Sequence, residues 1–350
     1  MALFPIDNVK ISGIAAAVPR QKVSNWDYDE LSLPEKKLLI KTTGVENKRV
    51  AEKGLATSDL CYHSAEKLIE ELNWEKEDIQ VLIFLSQSRD YYLPATSIIL
   101  QDRLGLSKAC MAFDIGLGCS GYVYGMSVIS SIMSASGLSK GLLLVGDISS
   151  LTCSKEDKST YPLFGDAGTA TAVERSEGAL MNFSLNSDGA GHRAIMIPAG
   201  GVRNVVNPGS FEVKEIEKGI KRCDLNLALD GLAVFNFSVS EVPVAVSDFM
   251  EHFKYDKEGC DYFLMHQANK LMNETIRKKL KFEVDKTPYS LSDYGNTSSA
   301  SIPLTIVDQL RQEVRSRSLN LLMAGFGVGL SLGVASLNID HIVCPELIEI

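Results

Sequence analysis

Several things are scarce in this chain, and each scarcity narrows the reading. Cations are in deficit: 35 Lys and Arg stand against 44 Asp and Glu, a net charge of −9. Broad nucleic-acid binding needs the opposite imbalance, because cations must displace counterions from phosphates, so no nucleic-acid partner is expected beyond what a small basic docking patch could hold. Long apolar runs are few. The run around Leu142–Val145 is far shorter than the roughly 20 residues of a bilayer span, so no membrane association is expected. MALFPIDNVK lacks a charged stretch followed by an apolar one, which reads as no secretory signal and a cytoplasmic location. Paired cysteines are missing too. The seven cysteines (61, 110, 119, 153, 223, 260 and 344) are odd in number, scattered and without a C-x-x-C, so neither a zinc site nor a disulfide framework is expected. Most read as small buried thiols.

What remains is an ordinary globular composition, 45% hydrophobic and 23% charged over 350 residues, enough for one large α/β unit or two similar halves. Short apolar runs alternate with helix-length amphipathic segments. Strands are predicted at Val9–Ala16, Ile79–Leu85, Ala109–Ile115, Gly141–Asp147, Ala167–Val173, Ala179–Ser187 and Tyr262–Met265, with a closing hairpin from Leu319–Ala324 to Leu330–Leu337. Helices are predicted at Ser58–Leu72 (capped by Thr57 or Ser58), Ala95–Leu104, Tyr122–Ser136 (stopped by Gly137), Leu232–His252, Lys270–Leu280 and Ser299–Arg311. This alternation implies a mainly parallel, layered α/β architecture. The charged, Gly-containing ERSEG suggests a boundary near Glu177, giving halves 1–176 and 177–350 that pack tightly.

Three segments carry chemistry. In FDIGLGCSGYVYGMSVISSI a strand ends at Ile115, glycines permit a tight turn, and a helix begins just past Cys119. A thiol at the positive end of a helix dipole favours its thiolate, and neighbouring glycines open it to a substrate. The setting is like a nucleophile elbow, although the glycine spacing is not G-x-S-x-G; a small residue filling a strand–helix turn explains Cys119 equally well. In DYFLMHQANKLMNETIRKKL, His266 follows an apolar strand and precedes a helix, where sites form in open α/β sheets. His63 and His252 lie within helical patterns, and His192 and His341 have no such setting. In LSDYGNTSSASIPLTI, Asn296 follows Gly295 ahead of a helix, a position that also suits a plain turn or cap residue.

Together these segments resemble the β-ketoacyl-ACP synthase III family of thiolase-superfamily condensing enzymes. The matching stretches are FDIGLGCSG, FGDAGTA (Phe164–Ala170), LMHQAN (Leu264–Asn269), YGNTSSAS (Tyr294–Ser301) and GFGVG (Gly325–Gly329), in family order across nearly the whole chain. The resemblance implies a thiolase-like five-layered αβαβα fold of two related halves, forming a homodimer. It implies a catalytic triad in which Cys119 takes an acyl group from a thioester. His266 and Asn296 would then hold the carbonyl of a malonyl thioester while it decarboxylates to an enolate, and the resulting carbanion attacks the acyl-Cys to give a 3-oxoacyl product. Backbone N–H groups of Cys119 and Val328 would form a second oxyanion hole. No metal or redox cofactor is implied, because the thioester carries the activation.

The chain also departs from that pattern. Val328 stands where the middle of three glycines is usual. Leu38 and Thr42 in LLIKTTG replace a Trp and an Arg that grip the CoA nucleotide, Lys158 replaces a second Arg, and Leu232 replaces an Asn that touches the pantetheine arm. Weak CoA binding is therefore expected. Lys270, Arg277, Lys278 and Lys279 lie on the helix where relatives dock acidic acyl carrier protein, though a solvated basic face would look the same. An alternative within the class is a sibling that acylates a hydroxyl, an amine or another carbon nucleophile. A Cys peptidase or amidohydrolase shares the triad but not the HQAN and GNTS contexts, and generic peptidase activity would reveal it. An inactive subunit of a heterodimer is disfavoured by the intact triad.

Overall fold

The computed structural model describes residues 2–350. Strand β1 (Ala2–Val18) opens the chain, and β2 (Ile79–Leu85), β3 (Met111–Ile115) and β4 (Lys140–Ile148) lie parallel in the order β3-β2-β4. The 22-residue β5 (Asp166–Ser187) runs antiparallel to both β4 and β1. Farther along, β6 (Tyr262–Met265), β7 (Ser318–Gly327) and β8 (Ser331–Asp340) line up as β6-β7-β8 and join the other end of β5. Two groups of three strands are thus each continued by β5 and β1.

The mainly parallel sheet expected from the alternation is in fact mixed. Among the described strands, parallel ladders join only β2 with β3 and β4, β6 with β7, and the end of β1 with a short C-terminal strand. Apolar content reports that both faces of a strand are covered but says nothing of its direction.

The boundary expected at 176/177 falls inside β5, and the two strands predicted at Ala167–Val173 and Ala179–Ser187 are one. ERSEG is a bulge within it. Gly178 at φ 79° faces Asn8 at φ 64°, and the Gly178 N–H donates to Asn8 Oδ1 at 3.0 Å, where the β1 register shifts. Residues 2–7 of β1 pair with 180–185 of β5 and residues 9–17 with 168–175, so the N-terminal strand serves both halves.

Helices complete the layers. α1 (Leu33–Thr43) lies to one side; α2 (Thr57–Leu72) and α3 (Thr96–Arg103) cover the outer face of the first strand group. α4 (Gly121–Ser136) packs on β2 and β4 from one group and on β7 and β8 from the other. α5 (Gly231–His252) and α6 (Lys270–Leu280) cover the outer face of the second group, and α7 (Ser301–Gln309) joins α4 in the middle, against β1, β5 and β6. The result is αβαβα. Alternate residues of β2 show why its apolar run is continuous: Ile83 and Leu85 pack in the cluster with Val123, Met126 and Ile129 of α4, while Leu82 and Phe84 pack with Leu68 and Ile69 of α2. Contrary to the short-run expectation, α5 is long and apolar enough to cross a bilayer by length and composition. Its Val242, Val246 and Phe249 are instead buried in the second core with Phe263 and Leu322. The cap of α2 also differs from expectation: Ala56 takes the position, and the Asp59 carboxylate accepts its N–H at 2.9 Å.

Candidate active site

Cys119, His266 and Asn296, 147 or more positions apart for the first and either of the others, line one cavity of about 240 Å³. Cys119 immediately precedes Ser120, the N-cap of α4. The end of β7 comes up against it: a Cβ on Gly327, at φ 150°, would lie 2.6 Å from Cys119 Cβ, so only glycine fits there. Val328 lines the same cavity, and main-chain hydrogen bonds of Val328 and of Cys119 itself favour the thiolate. They are outweighed. Burial, with a smaller contribution from the Asp147 charge, pushes the thiol up to about 11. The thiolate expected from the helix terminus is therefore a resting thiol, because removal from water penalises the anion more than these donors stabilise it.

His266 directly follows β6, its N–H donating to Ala324 O of β7 at 2.8 Å and its carbonyl accepting from Asn273 Nδ2 at 2.9 Å. Phe326 meets the ring edge-on at 5.6 Å between centroids. The rest of the HQAN motif is scaffolding: Gln267 donates to Met265 O, and Asn269 caps α6 by accepting the Met272 N–H at 2.9 Å. Burial lowers the His266 pKa to about 3, so the imidazole is neutral. Its Nδ1 lies 2.8 Å from Ser301 Oγ, which already accepts the Gln267 N–H at 3.3 Å. In the tautomer in which the Ser301 hydroxyl donates to Nδ1, the ring carries its hydrogen on Nε2, and a main-chain hydrogen bond of Ser298 also reaches the imidazole.

This neutral histidine has a consequence for stability. Between its folded value of about 3 and its ordinary value of 6.5, the unfolded chain binds a proton that the folded chain does not. Stability conferred by the neutral ring is thus present above 6.5 and lost as pH falls, by about 1.4 kcal/mol per pH unit. Unfolding free energies measured across this window should fall more steeply for the wild type than for His266→Asn; equal slopes would place the proton elsewhere.

Asn296 is fixed through its backbone and its side chain. Its N–H donates to Leu163 O at 2.9 Å, its carbonyl accepts from the Gly165 N–H at 3.0 Å, and its Oδ1 accepts from the Ser298 N–H at 2.9 Å. With Oδ1 occupied, Nδ2 is the end left free to donate. The site therefore holds a thiol, a neutral imidazole N–H and an amide NH₂ at one buried cavity, a set suited to a nucleophile and to a developing enolate oxygen.

The other residues singled out in the sequence are not brought together with these. Leu232 is 71% exposed on the first turn of α5, beside Gly231 and Val234 that do line the cavity. Lys158 lies outside the cavity, its stem against Gly219. Leu38 is 62% exposed, and the Thr42 hydroxyl donates back to Leu38 O at 2.8 Å, as Ser and Thr hydroxyls do in helices. Lys270 and Lys278 are exposed on α6, whereas Lys279 Nζ donates to Val239 O of α5 at 2.8 Å. Arg277 corrects the expectation of a docking cation. It is only 9% exposed, donates to both Glu274 oxygens at 3.0 and 2.8 Å and to Phe282 O, and so ties α6 to the loop that follows. Arg277→Ala should lower the unfolding free energy by about 1–3 kcal/mol, while Lys278→Ala should stay within about 0.5 kcal/mol. Chemical denaturation of both variants checks this.

Among the cavity residues that the sequence reading gave no role are Asp147 and Ser298. Asp147 could have been noticed as the acid that closes the otherwise apolar run LLLVGD at a strand's C-terminal end.

Comparison with known proteins agrees with this geometry. Residues 113–189 match the family described as 3-oxoacyl-[acyl-carrier-protein (ACP)] synthase III, and residues 250–339 match the one described as its C terminal. A β-ketoacyl-[acyl-carrier-protein] synthase III of Fusobacterium nucleatum is 31% identical, over 94% of this chain and 98% of its own. Its counterpart in Clostridioides difficile is 31% identical, over 93% and 96%. The crystal structure of a 3-oxoacyl-(acyl-carrier protein) synthase from Burkholderia xenovorans superposes with a TM-score of 0.94 at 35% identity, covering 100% of this chain and 99% of that one.

Proposed function

Because this chain belongs to the 3-oxoacyl-(acyl carrier protein) synthase III family, we propose that it is an acyltransferase that condenses a Cys119-bound acyl group with malonyl-ACP, with loss of carbon dioxide. The observation that carries the reading is one cavity lined by the Cys119 thiol, the neutral His266 imidazole and the Asn296 amide. In the first half-reaction Cys119 displaces the carrier thiol from an acyl thioester, and the N–H groups of Cys119 and Val328 receive the oxyanion. In the second, His266 Nε2–H and Asn296 Nδ2 receive the enolate oxygen as malonyl decarboxylates. Each such donor lowers the barrier by about 3 kcal/mol. No metal or redox cofactor takes part, since the thioester supplies the activation. A homodimer is proposed as well. It is supported by β3, which ends its strand row with one edge unpaired and Met111 47% exposed. A cytoplasmic location is consistent with seven free cysteines.

Acyl carrier protein is the preferred donor in this reading. Neither Leu38 nor Thr42 offers a grip to the CoA nucleotide, and a lost stack and guanidinium contact together weaken CoA by one to two orders of magnitude, at about 1.4 kcal/mol per decade. Lys270 and Lys278 face solvent on α6, where the acidic carrier can meet them. The test is intact-mass measurement after incubation with matched acyl-ACPs and acyl-CoAs at low and high salt. One acyl mass should arrive faster from ACP, and salt should erode the difference. Faster loading from CoA would overturn the donor assignment, and no loading from any thioester would overturn the acyltransferase reading itself.

A further inference from the structure

Beside Cys119 stand two side chains that the mechanism above leaves unused. Ser298 Oγ lies 3.9 Å from Cys119 Sγ and lines the same cavity as Asp147, whose carboxyl the Ser298 hydroxyl helps to hold down against the effect of burial. Asp147 closes β4 and is buried. Its Oδ1 accepts from the Gln87 N–H at 2.8 Å and Ser86 Oγ at 3.0 Å, and its Oδ2 accepts from Ser299 Oγ at 2.7 Å. All of these partners are neutral. Ser298 is held in the left-handed region, φ 51°, by its N–H on Asn296 Oδ1 and by the Ser299–Asp147 clamp next to it. A non-glycine residue in that region is kept there only when its surroundings impose it.

We propose that Ser298 is a further catalytic residue and that, with Asp147 behind it, it forms the proton path of Cys119 during acyl loading. As the sulfur pair attacks the thioester carbonyl carbon, the thiol proton passes to Ser298 Oγ, and Ser298 passes its own hydroxyl proton to Asp147. When the carbon–sulfur bond to the carrier breaks, the departing thiolate takes the proton back along the same path. Asp147 is then a carboxylate again, and no other reactant is consumed. A hydroxyl suits the relay position because it accepts one hydrogen bond while donating another. Charge supplies the reason for the route. Ionising Cys119 to solvent would set a second anion beside buried Asp147, whereas the relay moves one negative charge from carboxylate to sulfur without adding any. The thiol's high resting value, to which the Asp147 charge contributes, fits this arrangement. The other titratable groups nearby do not compete: His266, across the cavity, is neutral, and Cys61, which feels Asp147 through space, is pushed far up by burial.

The inference rests on Cys119 being the acylated residue, and its test keeps the two apart. Single-turnover loading would be followed by intact mass, with saturating amounts of whichever acyl-ACP loads the wild type fastest, from about pH 6 to 9. The wild-type rate should level off once Asp147 is ionised. In Asp147→Asn and Ser298→Ala it should drop about 100-fold or more near neutrality and then climb roughly tenfold per pH unit, because only the small thiolate fraction reacts. A residue that merely propped up the turn would change the rate but not this slope. Ser298→Ala keeps the Asp147 clamp intact, so it decides the matter even if Asp147→Asn fails to fold. A level profile in Ser298→Ala, or loading in Asp147→Asn as fast as in the wild type, would overturn the relay. Acyl mass on Cys119→Ala would instead overturn the premise.

Discussion

Removing Cys119 should abolish acyl loading. Cys119→Ala is expected to show no acyl mass where the wild type shows one, a loss of at least about 10³-fold, the scale on which nucleophile deletions act. None of the other six cysteines lines the cavity, so none can take its place. The expectation does not depend on a ready-made thiolate. A resting thiol with a value near 11 is a weak nucleophile, but it sits where a thioester carbonyl can be held and where main-chain donors await the oxyanion. Alkylation by iodoacetamide is the less decisive probe, since that reagent also reports exposure and Cys110 and Cys223 are better exposed than Cys119. An acyl adduct that survives on the alanine variant would contradict the assignment.

The second large effect divides the two half-reactions. His266→Ala and Asn296→Ala should each slow carbon dioxide release from malonyl-ACP by about 100- to 1,000-fold, the cost of removing one oxyanion donor. Acyl loading of Cys119 should suffer less, because these donors serve the enolate. With His266 neutral from about pH 3 upward, its N–H donor persists across the working range. Wild-type decarboxylation should therefore show no inflection from this imidazole near its ordinary value of 6.5. Trapping carbon dioxide from both variants and the wild type measures the effect, and undiminished release without either side chain would contradict the division.

How much of this could be read beforehand depended on the range over which each feature is decided. Cys119, His266 and Asn296 were legible because each sits in a local context, a strand end or a glycine turn, that a dozen residues reveal. Arg277 was misread because sequence displays charge but not burial: Glu274 is three positions before it on the same helix face, and the Phe282 carbonyl is supplied by the following loop. ERSEG has the composition of a linker, yet it is a bulge in a strand whose partner, β1, lies more than 160 residues away. Strand direction was equally hidden, since the first part of β5, residues 166–173, is as fully buried as a parallel strand, yet β5 runs antiparallel to every neighbour. The grouping of Cys119, Ser298 and Asp147 was beyond reach, for it joins the turn before α4, the segment after Asn296 and the end of β4, which only the layered packing brings together.

The measurement closest to the central claim follows the carbon. Enzyme loaded with one acyl group and freed of excess donor is mixed with malonyl-ACP, and protein mass, carbon dioxide and product are followed together. One carbon dioxide and one 3-oxoacyl-ACP should appear for each acyl group that leaves Cys119. Departure of the acyl group as a free acid, an ester or an amide, with no new carbon–carbon bond and no carbon dioxide, would contradict the account.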